Sequence, residues 1–340
     1  MPTESATGRR RQIALRVIAL VVSLGILYVF LPTLGEFFDE WPRLRDLEPL
    51  WVTVAVVFEA GSFACTWWLF AIALRSSNWF AMSTSQLAGN ALSRVVPAGA
   101  AAGATLQYRM LAASGINAAA AGSALTATTL LQLATLAALP AIGLLFTLGG
   151  QPIADSLRAT AWVGLAAFVV LVGGCVLLAV NDRAVRVVGS IVQWLRNAVL
   201  RSREPLTDVP DRLREERDLV RQALGSRWWE ALLATVGNRA LDYFALLACL
   251  AAVGTDPDPG LVLLAYSAAA VLAMIPLTPG GLGFVEAGLT ATLVLAGVGP
   301  ADAVLATLAY RLVSFWLPLP AGLAAYLAFR HRERREPAAH

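Results

Sequence analysis

Apolar residues fall along this chain in long blocks, at 13–34, 50–74, 117–148, 161–180, 228–253 and 301–329, separated by short polar stretches. A helix needs about 20 apolar residues to cross a bilayer, so the pattern predicts an all-α polytopic membrane protein. The first block is too long for a signal-peptide core, lacks a small-residue cleavage site and reads as a retained helix. Arg9, Arg10 and Arg11 precede it, and Glu36, Asp39 and Glu40 follow it. This bias places the N-terminal tail, 1–12, in the cytoplasm. Residues 76–115 are too polar for an ordinary span and contain Asn90, Arg94 and Arg109. Pro140 interrupts the block 117–148, which is either one kinked helix or a broken pair.

One stretch departs from the block pattern. An apolar run at 261–274 stops at Pro276 and Pro279, passes Gly280, Gly281 and Gly283, and resumes with Glu286 in its first turns. Proline blocks helix continuation, and glycine tolerates backbone conformations that other residues avoid. Broken backbone at membrane depth is tolerated only where protein buries it or where it lines a wet cavity. A helix restarting there offers free N–H groups and a positive dipole end to an anion. The same composition also suits a glycine-rich loop at the membrane surface.

Pro97 and Gly99 form a similar break, and at an offset of 182 residues Pro97, Gly99, Leu111, Gly115 and Ile116 align with Pro279, Gly281, Leu293, Gly297 and Val298. Matching proline–glycine interruptions in two halves are the sequence pointer to a transporter's binding site. An internal two-fold repeat is expected, with 13–180 as the first membrane repeat and 228–330 as the second. The span count does not close evenly. With 79–116 re-entrant and both 261–274 and 284–298 crossing, eight spans leave both termini inside. That choice breaks the symmetry of the repeat, and the count stands at seven to nine.

Composition supports the class: 58% of residues are hydrophobic and 14% charged, with mean hydropathy +0.66, whereas a soluble chain is about half apolar and a quarter charged. The net charge of +3 does not point to nucleic acid, because the arginines sit in flanks and membrane-side loops. The loop 181–227 holds ten arginines against seven acids, which assigns it to the cytoplasm. Residues 185–200 alternate apolar and basic, as an interfacial amphipathic helix does. The mixed charges of 211–221 suit a solvated helical face. The basic tail 331–340 is placed in the cytoplasm with it. Cys65, Cys175 and Cys249 stand singly, and His331 and His340 are confined to the tail. No metal site, disulfide framework or cofactor is expected.

Glu59, Arg94, Arg109, Arg239, Asp242, Glu286 and Arg311 lie in or beside apolar blocks. Each would cost about 2.5–3.5 kcal/mol at the centre of an isolated spanning helix, so they should turn toward one another or toward a hydrated cavity. One reading makes them structural ion pairs, with Arg94 and Arg109 snorkelling to the surface. The functional reading gives Arg94, Arg239 and Arg311 to a phosphate-bearing headgroup, because guanidinium forks match phosphate bidentately. Glu59, Asp242 and Glu286 then serve as gate or counter-ion, with proton carrier a third role open to Glu286.

The run 279–286, the turn Ala296-Gly297-Val298 and Tyr310-Arg311 resemble the membrane region of lysylphosphatidylglycerol synthases and its stand-alone, flippase-like relatives. Asn90, Arg94 and Pro97-Ala98-Gly99 are similar to that family's first motif, with Ala98 where glycine is common. The resemblance covers about residues 13–330. It implies a membrane region that in the synthases moves an aminoacylated phospholipid between leaflets. Here, without the soluble aminoacyltransferase domain, a flippase-like transporter of the plasma membrane is expected, acting on an anionic phospholipid or a polyprenyl-phosphate-linked lipid. On this reading the substrate-binding residues are Asn90, Arg94, Pro97, Gly99, Arg239, Pro279, Gly280, Gly281, Gly283, Glu286, Tyr310 and Arg311. The partners are a lipid with an anionic headgroup and a protein bound through 181–227. No Walker A sequence is present. Two other readings remain open: a transferase acting on a lipid-linked substrate through Asp256 and Asp258, and a non-transporting scaffold for a lipid or cell-wall enzyme.

Overall fold

In a computed structural model, the structure describes residues 47–96, 99–147, scattered positions of 162–180, 181–199, 208–273 and 279–335. Pro97 and the expected first span, 13–34, lie outside the described residues, as does most of 161–180. Among the described residues every regular element is helical. The helices are α1 (Pro49–Leu74), α2 (Trp79–Val95), α3 (Gly99–Ala113), α4 (Ala118–Thr147), α5 (Asp182–Val199), α6 (Val209–Leu224), α7 (Trp228–Ala252), α8 (Pro259–Leu272), α9 (Phe284–Leu295) and α10 (Pro300–Arg311), followed by a π-helical turn at Leu312–Trp316 and by α11 (Pro318–Arg335). Among the described residues four stretches are long and apolar enough to cross a membrane: Pro49–Leu74, Ala118–Gly143, Gly225–Ala252 and Pro300–Arg335. The chain is therefore an all-α polytopic membrane protein. The long helix runs through Pro140 without a break.

Local chemistry sets the element ends. Pro49, Pro259 and Pro300 open helices at positions where a missing N–H is harmless. Asn78 and Asp258 accept N–H groups from the first turns of α2 and α8. Asp258 is thus a helix cap.

The two halves repeat in detail. Gly115 and Gly297 both close a helix at positive φ, +81° and +93°. The Ile116 N–H donates to Leu111 O as the Val298 N–H does to Leu293 O, so the 182-residue offset is preserved bond for bond, and α4 and α10 begin in register at Ala118 and Pro300. In each half two shorter helices fold into an antiparallel hairpin. In α2–α3, Gly89 and Gly103 let the backbones touch, and a Cβ on either would strike the other's carbonyl. In α8–α9, Gly288 admits Leu272, and Thr292 Oγ1 donates to Ala265 O at 3.4 Å. The runs 261–274 and 284–298 are therefore the two arms of one hairpin.

At the centre, α1 and α7 pack antiparallel. The Glu48 N–H donates to Ala252 O, Asn238 donates to Ser62 and Thr66, and Gly237 leaves room for Cys65 Sγ. Around this pair the halves interlock. Gly143 of α4 receives Leu264 of α8, while Gly322 of α11 receives Leu87 and Ala91 of α2. Each half's long helix thus braces the other half's hairpin.

Candidate functional site

A cavity of about 400 Å³ opens where the central pair meets both hairpins. Glu59 lies ten residues beyond the start of α1 and Asp242 ten residues before the end of α7. At 1.5 Å per residue both are roughly 15 Å from the shared end of the pair, which is mid-span for a membrane helix. The offset places them with unusual economy: Glu59 maps onto Leu241, the neighbour of Asp242, and Asp242 maps onto Ala60, the neighbour of Glu59. The pseudo-two-fold axis relating the halves therefore passes between these two carboxyl groups.

Asp242 is held from two sides. Tyr266 OH donates to Oδ2 at 2.5 Å and Tyr310 OH to Oδ1 at 2.8 Å. Glu59 is buried and comes within side-chain hydrogen-bonding reach of Asp242. Its Oε2 has no hydrogen-bond partner among the described residues. Arg239, one turn before Asp242, lies against Tyr266, and its Nε is also without a hydrogen-bond partner. Asn90 faces the same space with an unpartnered Oδ1.

The π-helical turn explains where Arg94 goes. Pro318 has no N–H, so the Ser314 carbonyl four residues earlier loses its helical donor. Leu317 instead reaches back five residues to Leu312 O at 2.9 Å. Arg94 Nη1 fills the gap, donating to Ser314 O at 2.5 Å and Phe315 O at 3.1 Å. Its guanidinium thus has carbonyls beside it and, among the described residues, no carboxylate in salt-bridge contact. Arg311 is held more tightly. Its Nε donates to Glu286 Oε1 at 2.7 Å, its Nη2 to Gly280 O at 3.3 Å, and its guanidinium stacks 4.2 Å from the Phe315 ring centre. Arg94 approaches the same ring at 5.2 Å, so Phe315 separates two cations.

Of the residues expected from the sequence, Glu59, Asn90, Arg94, Arg239, Asp242, Tyr310 and Arg311 line one cavity. The glycines shape the two hairpins. Gly99 packs against the Ser93 backbone and closes the first hairpin. Gly280, Gly281 and Gly283 have φ of +61°, +71° and +77°, so they turn the second hairpin and aim the Gly280 carbonyl at Arg311. Pro279 begins the short 3₁₀ turn of that bend. Helix α9 shows the cavity Val285 and Leu289, while Glu286 neutralises Arg311. Arg109 is exposed and lies outside the site.

Sequence reasoning missed Tyr266, Asn238 and Gln86. A tyrosine inside a short apolar helix was the available signal, because a buried phenol needs a partner. Asn238 Nδ2 donates to Ser62 Oγ at 2.7 Å and Thr66 Oγ1 at 3.1 Å. Gln86 Oε1 accepts from Trp67 Nε1 at 3.1 Å. These bonds lock the polar wall on α1. Among the described residues no group of three or more His, Cys, Asp or Glu side chains is placed to hold a metal.

The family described as the lysylphosphatidylglycerol synthase TM region matches residues 16–322. Two matches are to proteins named UPF0104 membrane protein from Methanothermobacter thermautotrophicus (strain Delta H). One is 39% identical over 74 residues, 22% of this chain and 22% of the relative. The other is 30% identical over 95 residues, 28% of this chain and 27% of the relative. The matched segments thus span about a quarter of those relatives' length.

Proposed function

We propose that this chain, which belongs to the family of the lysylphosphatidylglycerol synthase TM region, moves a lipid with a phosphate-bearing anionic headgroup between the leaflets of the plasma membrane. The observation that carries the reading is the convergence of Arg94, Arg239 and Arg311 on a mid-span cavity bounded by both halves. The volume, about 400 Å³, falls in the range of small-molecule sites and suits a headgroup whose tails stay in the bilayer. Arg94 and Arg239 are the anion-binding groups of this scheme, and Arg311, already paired with Glu286, stacks on Phe315 and supports the wall.

Both hairpins are re-entrant in this scheme. The remaining apolar runs, 13–34, 50–74, 117–148, 161–180, 228–253 and 301–329, then make six crossings. Both termini and the basic loop 181–227 fall on the cytoplasmic side, and the acidic turn at 256–258 falls outside. The charge rule is satisfied throughout, and the symmetry of the repeat is kept. One hairpin enters from each side, so a rocking of the halves about their shared axis exposes the cavity alternately.

The test is a leaflet-accessibility assay with fluorescent phosphatidylglycerol in liposomes containing the purified protein. Wild type should equalise the leaflets, and Arg94→Ala and Arg239→Ala should each slow this at least tenfold while remaining folded. Equal rates in wild type and both variants would overturn the proposal. Native mass spectrometry of the copurified lipid identifies the headgroup.

A further inference from the structure

The cavity holds more acid than an anion site requires. Three guanidinium groups face three carboxyl groups: Glu59, Asp242 and, bound to Arg311, Glu286. If all six were charged the site would be neutral and would not attract an anion. Glu59 and Asp242 differ from Glu286 in how they are partnered. No arginine donates to either in a salt bridge among the described residues, whereas Glu286 has Arg311 at 2.7 Å. Both oxygens of Asp242 are taken by tyrosine hydroxyls, and Glu59 points its carboxyl at Asp242 from the opposing helix. Two carboxyl groups bond to each other only with a proton between them, and like charges at contact distance cannot both ionise without large cost.

The surroundings of Glu59 are specific. Asp242 and Arg239 share the cavity with it from α7, Arg94 from α2, Tyr266 from α8, and Tyr310 and Arg311 from α10. Gln132 of α4, which lines the same cavity, is neutral. With one proton on the pair, the cavity carries one net positive charge, and without it none. The pair also sits on the pseudo-two-fold axis, at the point the two halves share.

We infer that the Glu59–Asp242 pair is a proton site coupled to the headgroup site, so that an anionic headgroup and one proton are bound and released together. The inference rests on the anion-binding reading above and adds the energy source. The proton comes from cavity water and makes an O–H bond on one carboxylate of the pair. It returns to water when the headgroup leaves, and no other bond is made or broken. Release of the proton on the alkaline side removes the net charge that holds the anion, so a pH difference across the membrane sets the direction of lipid movement.

The experiment is calorimetric titration of the full chain, in phosphatidylcholine nanodiscs, with short-chain phosphatidylglycerol. This phosphodiester keeps a single charge between about pH 5 and 9, so any pH dependence belongs to the protein. Repeating the titration in buffers of different ionisation enthalpy counts the protons taken up. Wild type should take up about one proton per headgroup on the alkaline limb, where affinity falls by up to about tenfold per pH unit. Glu59→Gln should bind the probe with a flat pH profile and no proton uptake. Asp242→Asn, which keeps one acceptor for the tyrosines, should do the same and guards against a folding defect in the first variant. Binding by wild type with no proton uptake at any pH would overturn the coupling and leave the anion site standing, as would an unchanged profile in both variants. No binding of the probe at any pH would overturn the anion site and the coupling with it.

Discussion

Removing Arg311 gives the sharpest test of how the second hairpin is held. Its side chain is 8% exposed and that of Glu286 13%, so the pair is shielded from water and salt. Arg311→Ala leaves the Glu286 carboxylate buried with neither of its oxygens paired among the described residues, since Oε2 has no hydrogen-bond partner there in the intact protein. The variant also loses the bond to Gly280 O and the stacking on Phe315. Breaking a buried pair by deleting one member costs about 3–5 kcal/mol. At roughly 2–4 °C per kcal/mol for chains of 150–250 residues, this is a melting shift of several degrees even in a larger chain. Replacing both members by apolar residues, Arg311→Met with Glu286→Leu, removes the orphaned charge and should recover most of the loss. Tryptophan-fluorescence melting of the purified variants in detergent measures all three proteins. If the double variant is no more stable than Arg311→Ala, the two side chains do not interact and the account of the hairpin fails.

Four further outcomes follow from the geometry. Gly280→Ala should cost about 1–3 kcal/mol in the same melting assay, because its φ is +61° and its Cβ would enter the Phe315 ring. Gly297→Ala, with φ +93° but nothing within 4 Å of its Cβ, should cost distinctly less. Pro318→Ala returns an N–H to the Ser314 carbonyl and should raise the melting temperature, while lipid movement in liposomes falls because Arg94 loses its anchor. Tyr266→Phe and Tyr310→Phe should each cost about 1.5–3 kcal/mol by melting, the worth of a hydrogen bond to a charged acceptor, and a loss under 0.5 kcal/mol in both would mean that Asp242 is not held as described. In the loop region, Arg217 holds the Asp182 carboxyl below the usual carboxylate range. The α5–α6 contact should therefore be present at neutral pH and lost only on strong acidification, seen as faster hydrogen exchange in 209–224 that Asp182→Asn shows already at neutral pH.

The chemistry of the site was more legible in the sequence than its architecture. Charges inside apolar blocks have few affordable places, so Glu59, Arg94, Arg239, Asp242 and Arg311 could be expected to meet, and they do. The repeat was legible because Gly115 and Gly297 are constrained by positive φ, which few residues tolerate. What could not be read was the role of neutral groups. Tyr266 looks like one more apolar position until its hydroxyl finds Asp242. The free carbonyl of Ser314 exists only because a proline stands four residues on. That 261–298 forms one hairpin could not be read, because its two helices of 14 and 12 residues each carry the hydropathy of a span. Hydropathy reports the solvent around a segment and not its path.

The interlock of the two halves has a consequence for biosynthesis. When the ribosome has delivered α1 to α4, the faces of α2 and α4 that receive Gly322 and Leu264 have nothing to cover them, since those contacts come from more than 100 residues downstream. The first half must wait in the bilayer with the carboxyl group of Glu59 lacking its neighbour Asp242. Its assembly therefore belongs to the end of translation, and a nascent chain halted before α7 is an expected client of the membrane's insertion and quality-control machinery.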